Sequence, residues 1–146
     1  MDIFQQIMSN KPLWVTALAF SVAQLSKLLF CLIKSEKIDR RKLLASGGMP
    51  SSHSALVTAL AVSIGKEAGF SSYPFAICVA LAVIVMYDAA GVRRAAGEQA
   101  ILMNVLFEKI EEMGVKMDER LKEFLGHRPI EVFVGALLGI LIGVLV

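Results

Sequence analysis

The run from Pro12 to Ile33 covers 22 residues and is interrupted only by Gln24 and Lys27. At about 1.5 Å per helical residue it is long enough to cross the roughly 30 Å hydrocarbon core of a bilayer. Its apolar part is too long for a cleaved signal peptide, and no basic cluster precedes it. Three more apolar stretches follow, Ser54–Ile64, Pro74–Ala90 and Ile130–Val146. The pattern predicts an all-α polytopic membrane helical bundle. It forms one integral membrane domain over residues 1–146, with about four spans near 12–33, 54–70, 74–92 and 130–146. The second stretch is short, rich in alanine and valine, and ends at Gly65, Lys66 and Glu67. It fits a buried core helix as well as a span. In the last stretch Gly135, Gly139 and Gly143 recur at i, i+4 and i+8, lining one face along which a neighbouring helix can approach closely.

Composition agrees with a bundle in lipid. Of the 146 residues 56% are hydrophobic and 19% charged, with a mean hydropathy of +0.66; a soluble domain of this size carries more charge. The charges cluster near 34–42, 93–94 and 108–131. A formal charge of +2 with no aromatic residues among the basic ones gives no support for a nucleic-acid partner. Cys31 and Cys78 lie inside apolar runs and read as small buried hydrophobes. His53 and His127 have no neighbouring cysteine or second histidine, so neither a zinc site nor any other cofactor is expected.

The loop after the first span carries Lys34, Lys37, Arg40, Arg41 and Lys42 against Glu36 and Asp39. The connection from 91 to 129 carries Arg93, Arg94, Lys109, Lys116, Arg120, Lys122 and Arg128. Positive charge near span ends stays in the cytoplasm. Both loops are therefore expected on the cytoplasmic face of the cell membrane, with both termini opposite. Within the long connection, Ala95–Glu112 reads as a helix whose stripe of Ile101, Leu102, Val105, Leu106 and Ile110 suits the membrane surface or packing on the bundle. Gly114 ends it, and Asp118–Leu125 reads as a further helical turn.

Three polar motifs fall on that face. Gly47-Gly48-Met49-Pro50-Ser51-Ser52-His53-Ser54 is a loop leading into the second span. Helix N-termini offer free N–H groups and partial positive charge to an oxyanion such as phosphate; alternatively, Ser51 or Ser52 serves only as the cap. Asp88 lies at the edge of the third apolar helix, where an ionisable group needs a partner, and Arg93 and Arg94 are natural ones. The plainer role of both arginines is topological. Gly126-His127-Arg128-Pro129-Ile130-Glu131 enters the last span with Pro129 in its first turn. Glu131, at i+4 from His127, can hold one ring nitrogen and leave the other free as a nucleophile; a His–Glu pair at a helix start is also a common local bond. Together the motifs hold two histidines, acidic partners and several cations, the inventory of phosphoryl transfer.

These residues resemble the divergent branch of the type 2 phosphatidic acid phosphatase (PAP2) family, which is related to acid phosphatases and vanadium-dependent haloperoxidases. The parent family's motifs are Lys-x6-Arg-Pro, Pro-Ser-Gly-His and Ser-Arg-x5-His-x3-Asp. Lys34 and Arg41 match the first, with Lys42 in place of proline. Pro50-Ser51-Ser52-His53 matches the second, with serine for glycine. His127 and Glu131 match the end of the third, with glutamate for aspartate. Leu121 stands where the third motif's arginine belongs, and Arg120 is one residue off.

The resemblance implies a phosphatase of a lipid or isoprenoid phosphate or pyrophosphate, working through a phosphohistidine without a metal. His127 would be the nucleophile, Glu131 would orient it and His53 would protonate the leaving alkoxide. Lys34, Arg41, Ser51, Ser52, Arg93 and Arg94 would bind phosphate, supported by Asp88, Gly47 and Gly48. The alternative is a non-catalytic membrane protein that binds or transports an anionic phospholipid, a reading favoured by the serine-for-glycine change and the missing arginine. Expected partners are membrane lipids and a lipid phosphate substrate. So small a bundle also leaves polar surface for a homodimer to cover.

Overall fold

The computed structural model describes residues 2–33, 48–115, 121 and 126–146, apart from the side chains of 31–33. All regular structure among them is helical: α1 (Ile3–Met8), α2 (Lys11–Ile33), α3 (Ser52–Ala68), α4 (Tyr73–Ala90), α5 (Val92–Glu112) and α6 (Pro129–Leu145). The loop motif Lys34–Gly47, including Lys34, Arg41 and Gly47, lies outside the described residues, as does the turn expected over 118–125 apart from Leu121.

Helix α3 is central, with α2, α4 and α6 each packed against it. Enclosed on three sides, it has room only for small side chains, and Ser54, Ala55, Ala59, Ala61 and Ser63 are buried. It is therefore the core helix of the bundle, and its 17 residues reach about 25 Å. The bundle is apolar outside and small-grained inside. Val15, Ala19 and Ala23 of α2 are buried, whereas Leu25, Leu29, Ile77, Ile84, Phe133 and Leu137 are exposed. That distribution is unfavourable in water and normal in lipid, where close backbone approach rather than large core side chains holds helices together. Helices α2 and α4 are long and apolar enough to cross a membrane, and α6 is a shorter apolar helix.

The α3–α6 contact sets the geometry of the site. Gly135 faces the Ser51 backbone, Gly139 faces the Ala55 carbonyl and Thr58 Oγ1, and Gly143 faces Val62 and Ala59. A Cβ at any of the three would collide with those atoms. Because the partners advance in step with the glycines, the two helices run parallel, and their N-termini lie together at one end of the bundle. Thr58 Oγ1 donates to the Ser54 carbonyl at 2.8 Å and contacts the Ala136 carbonyl at 3.1 Å, bridging the helices. At the far end, Lys66 Nζ donates to the carbonyls of Gly143 (3.3 Å) and Val144 (3.0 Å). A cation thus covers the negative end of α6.

Several elements differ from the sequence expectation. Helix α1 was not expected; six residues are too few to show a period. It joins α2 through Asn10, whose Oδ1 accepts from Leu13 N at 3.2 Å, and through Trp14 Nε1, which donates to the Met8 carbonyl at 3.1 Å. Helix α4 ends at Ala90 because Gly91 breaks the chain direction and α5 starts at once.

Helix α5 turns Gly97, Ala100 and Asn104 inward and leaves Ile101, Leu102, Val105 and Leu106 outward. The expected stripe therefore does not pack on the bundle; small residues occupy the inner face, and the apolar face is free for the membrane surface. The Asn104 amide donates to the Leu121 carbonyl and accepts from its N–H, both at 2.9 Å. Gly114, at φ +92°, follows the end of α5 as expected. Cys78 is half-buried rather than buried.

Gly139→Ala is expected to lower stability by about 1–3 kcal/mol through overpacking of the α3–α6 seam. Ile140→Ala, on the exposed side of the same helix, should cost distinctly less. Thermal unfolding of the detergent-purified variants measures both.

Candidate functional site

The polar residues meet where α3, α5 and α6 begin and α4 ends. Ser51 is the N-cap of α3, its Oγ accepting from Ser54 N at 3.4 Å and from Ser54 Oγ at 3.0 Å. Its own N–H donates to the Glu131 carbonyl at 3.0 Å, which pins the start of α3 to the first turn of α6. Ser51 is thus the helix cap, one of the two roles open to it from sequence. Ser52 is buried beside it, and His53, one residue on, is exposed. Gly48 precedes them at φ +92°.

On the α6 side, His127 is 2% exposed. Its backbone N–H donates to the Ala89 carbonyl at 2.9 Å, fastening the loop to the last turn of α4. Gly126 makes this possible. It lies at φ +88°, and a Cβ there would strike the backbone of Arg94, so only glycine lets the loop pass the start of α5. His127 Nδ1 lies 3.0 Å from Glu131 Oε2, and the same oxygen accepts the Arg128 N–H at 3.2 Å. A carboxylate can only accept, so the imidazole proton sits on Nδ1 and the lone pair on Nε2. Nε2 is buried and, among the described residues, has no hydrogen-bond partner. Buried polar atoms are nearly always paired, so an orphaned acceptor among cations marks a place for a guest.

Burial pushes the His127 imidazole below its ordinary value; the Glu131 bond opposes this, and the charges of Lys27 and His53 reinforce it. Its neutral, nucleophilic form is therefore the one present at pH 7. His53 lies near enough to Arg93 and Lys27 to feel both charges.

The two arginines part company. Arg93 Nε pairs with Asp88 Oδ2 at 2.5 Å, the partnership expected from sequence, and faces His53 electrostatically. Arg94 Nε pairs instead with Glu98 at 3.0 Å, one turn along α5. The residue that the sequence reading passed over is Lys27. It counted there only as an interruption of the first span, but it is 7% exposed, and its charge acts on both histidines and on Glu131. A usable signal was present: Val15, Ala19, Ala23 and Lys27 recur at steps of four, placing the lysine on the small-residue face.

The described residues hold no group of three or more His, Cys, Asp or Glu side chains that could bind a metal ion. They do hold two helix N-termini and two imidazoles, with Lys27 acting on both imidazoles and Arg93 on His53, an arrangement that suits a phosphoryl group.

A profile of the Divergent PAP2 family matches residues 8–142. The chain belongs to the Divergent PAP2 family. It is 43% identical over 150 residues to the "Uncharacterized membrane protein YuiD" of Bacillus subtilis (strain 168), with 94% of each chain covered. No solved structure matches. The family assignment and the lipid-type packing together make this a membrane protein. In this Divergent PAP2 chain the second-motif residues Ser51, Ser52 and His53 and the third-motif residues His127 and Glu131 come together at one end of the bundle.

Nitrogen NMR of labelled imidazoles should show His127 as the Nδ1–H tautomer, with a midpoint below the ordinary value of about 6.5. In Glu131→Gln the midpoint should fall further, because the opposing carboxylate charge is gone. A His127 titrating at or above the ordinary value would contradict the burial described.

Proposed function

We propose that the protein is a membrane phosphatase that hydrolyses a lipid or isoprenoid phosphate or pyrophosphate through a phosphohistidine on His127. The observation that carries this reading is the unpaired Nε2 of His127, buried and held in its nucleophilic tautomer by Glu131. Family membership supports the phosphate chemistry. In the first step the Nε2 lone pair attacks phosphorus, the bond to the leaving oxygen breaks, and His53 in its protonated form gives that oxygen a proton. In the second, His53 takes a proton from water, the resulting hydroxide attacks the phosphohistidine, and phosphate leaves with His127 restored. Arg93 and the starts of α3 and α6 stabilise the charge spread over the equatorial oxygens. Ser52, Arg94, Lys34 and Arg41 are assigned phosphate-binding roles by the resemblance alone.

The bundle crosses the membrane several times in this reading. Its polar end faces the cytoplasm and its termini the other side, because both basic connections adjoin that end. A lipid substrate then presents its headgroup from the inner leaflet.

Phosphate release from a panel of lipid phosphates and isoprenyl diphosphates tests the proposal. His127→Ala should abolish release and the trapped phosphoenzyme together. His53→Ala should reduce release by roughly 10²–10⁴-fold, the usual worth of a general acid. With neutral His127 as nucleophile, release should decline as pH falls through the histidine's lowered midpoint, since protonation removes the Nε2 lone pair. A folded wild type that releases phosphate from no member of the panel would leave binding or transport of an anionic phospholipid as the function.

A further inference from the structure

Lys27 stands at the end of a buried stripe on α2, following Val15, Ala19 and Ala23 at four-residue steps. A lysine within an apolar helix usually reaches its ammonium along the surface to water. This one is turned inward by the stripe it belongs to, six residues before the end of α2, or roughly 9 Å below it. Its side chain runs beside the loop that opens α3, where a Cβ on Gly48 would lie 4.0 Å from Lys27 Cδ. Among the described residues no hydrogen bond or ion pair reaches its ammonium.

Among the described residues the carboxylate that acts on it is Glu131, and Glu131 is already engaged by His127 Nδ1 and the Arg128 N–H. Among the described residues the enclosure therefore holds an inward cation and two helix N-termini against one occupied carboxylate. A cation on a largely buried side chain is costly to leave without a partner and persists where something compensates it.

We propose that Lys27 is a phosphate-binding residue of this site, its ammonium donating to a non-bridging oxygen of the phosphoryl group that His127 Nε2 faces. The inference rests on the phosphoryl reading of the site, and it assigns to α2 a cation that the resemblance seeks only in the loop beyond it. Because Lys27 is recessed, the bound phosphoryl group sits below the end of α2, within reach of a headgroup whose chain stays in the bilayer.

The test uses inorganic phosphate as the probe, followed by the unfolding temperature of the detergent-purified full chain, alongside release from the lipid phosphate panel. Lys27→Met keeps the length and apolar stem but removes the charge. Without phosphate it should unfold at or above the wild-type temperature. Its phosphate affinity should be weaker by roughly 10–100-fold, the worth of a charge-assisted hydrogen bond. Lys27→Arg should retain part of the affinity, and Lys27→Gln replaces the methionine variant should that one fail to fold.

Unchanged phosphate affinity in the uncharged variant, or no response to phosphate in the wild type, would overturn the proposal. If phosphate binding depends on Lys27 but the wild type hydrolyses nothing, the Lys27 assignment stands and the phosphatase reading falls. If wild type and Lys27→Met hydrolyse equally well, the reverse holds.

Discussion

The parallel approach of α3 and α6 is the contact on which the site depends. Three glycines at steps of four remove the side chains that would otherwise hold the two backbones apart, and Ser51, Ala55, Thr58 and Val62 occupy the space. Two short polar links complete the register, Ser51 N–H to the Glu131 carbonyl and Thr58 Oγ1 to the Ala136 carbonyl. Without that register the cap of α3 and the histidine ahead of α6 would not share one enclosure. Lipid offers little hydrophobic gain for bringing helices together, so dispersion between closely fitted backbones has to do it.

Parallel helices also add their end charges rather than cancel them. The starts of α3, α5 and α6 gather at one end of the bundle, and two ion pairs stand there among the described residues, Arg93 with Asp88 and Arg94 with Glu98. Those pairs are half-exposed, and their contribution to stability is small. Among the described residues, Lys27 and the helix ends are the positive elements of the site that no carboxylate pairs. At the opposite end Lys66 covers the carbonyls that close α6.

Much of this was legible in the sequence, for reasons that differ residue by residue. The glycine repeat of the last span announces a close contact because four residues is nearly one helical turn. Ser51 before an alanine-rich run announces a cap. The pairing of Asp88 with a following arginine comes from the cost of an ionisable group at the edge of an apolar helix. Other features were hidden. Arg94 has Glu98 at i+4, a helical spacing that draws it away from the site. The stripe on α5 fits the membrane surface and packing on the bundle equally well by sequence, because large apolar residues bury in water but face outward in lipid. In a chain that lives in lipid the rule inverts, and Gly97, Ala100 and Asn104 face inward instead. Lys27 is hidden in the sequence because among apolar residues it looks like a defect until its neighbours at 15, 19 and 23 are seen to be the buried ones.

The glycine seam has a further consequence. A contact made of backbone has no rotamers to freeze and none to rearrange, so the spacing between the two helix starts is governed by steric exclusion instead of side-chain choice. The outward residues of α2, α4 and α6 take no part in it. Such a chain can exchange its lipid-facing surface residue by residue, adapting to membranes of different thickness or fluidity, while the distance between Ser51 and His127 stays constant. Its variation and its chemistry are thereby carried by different atoms.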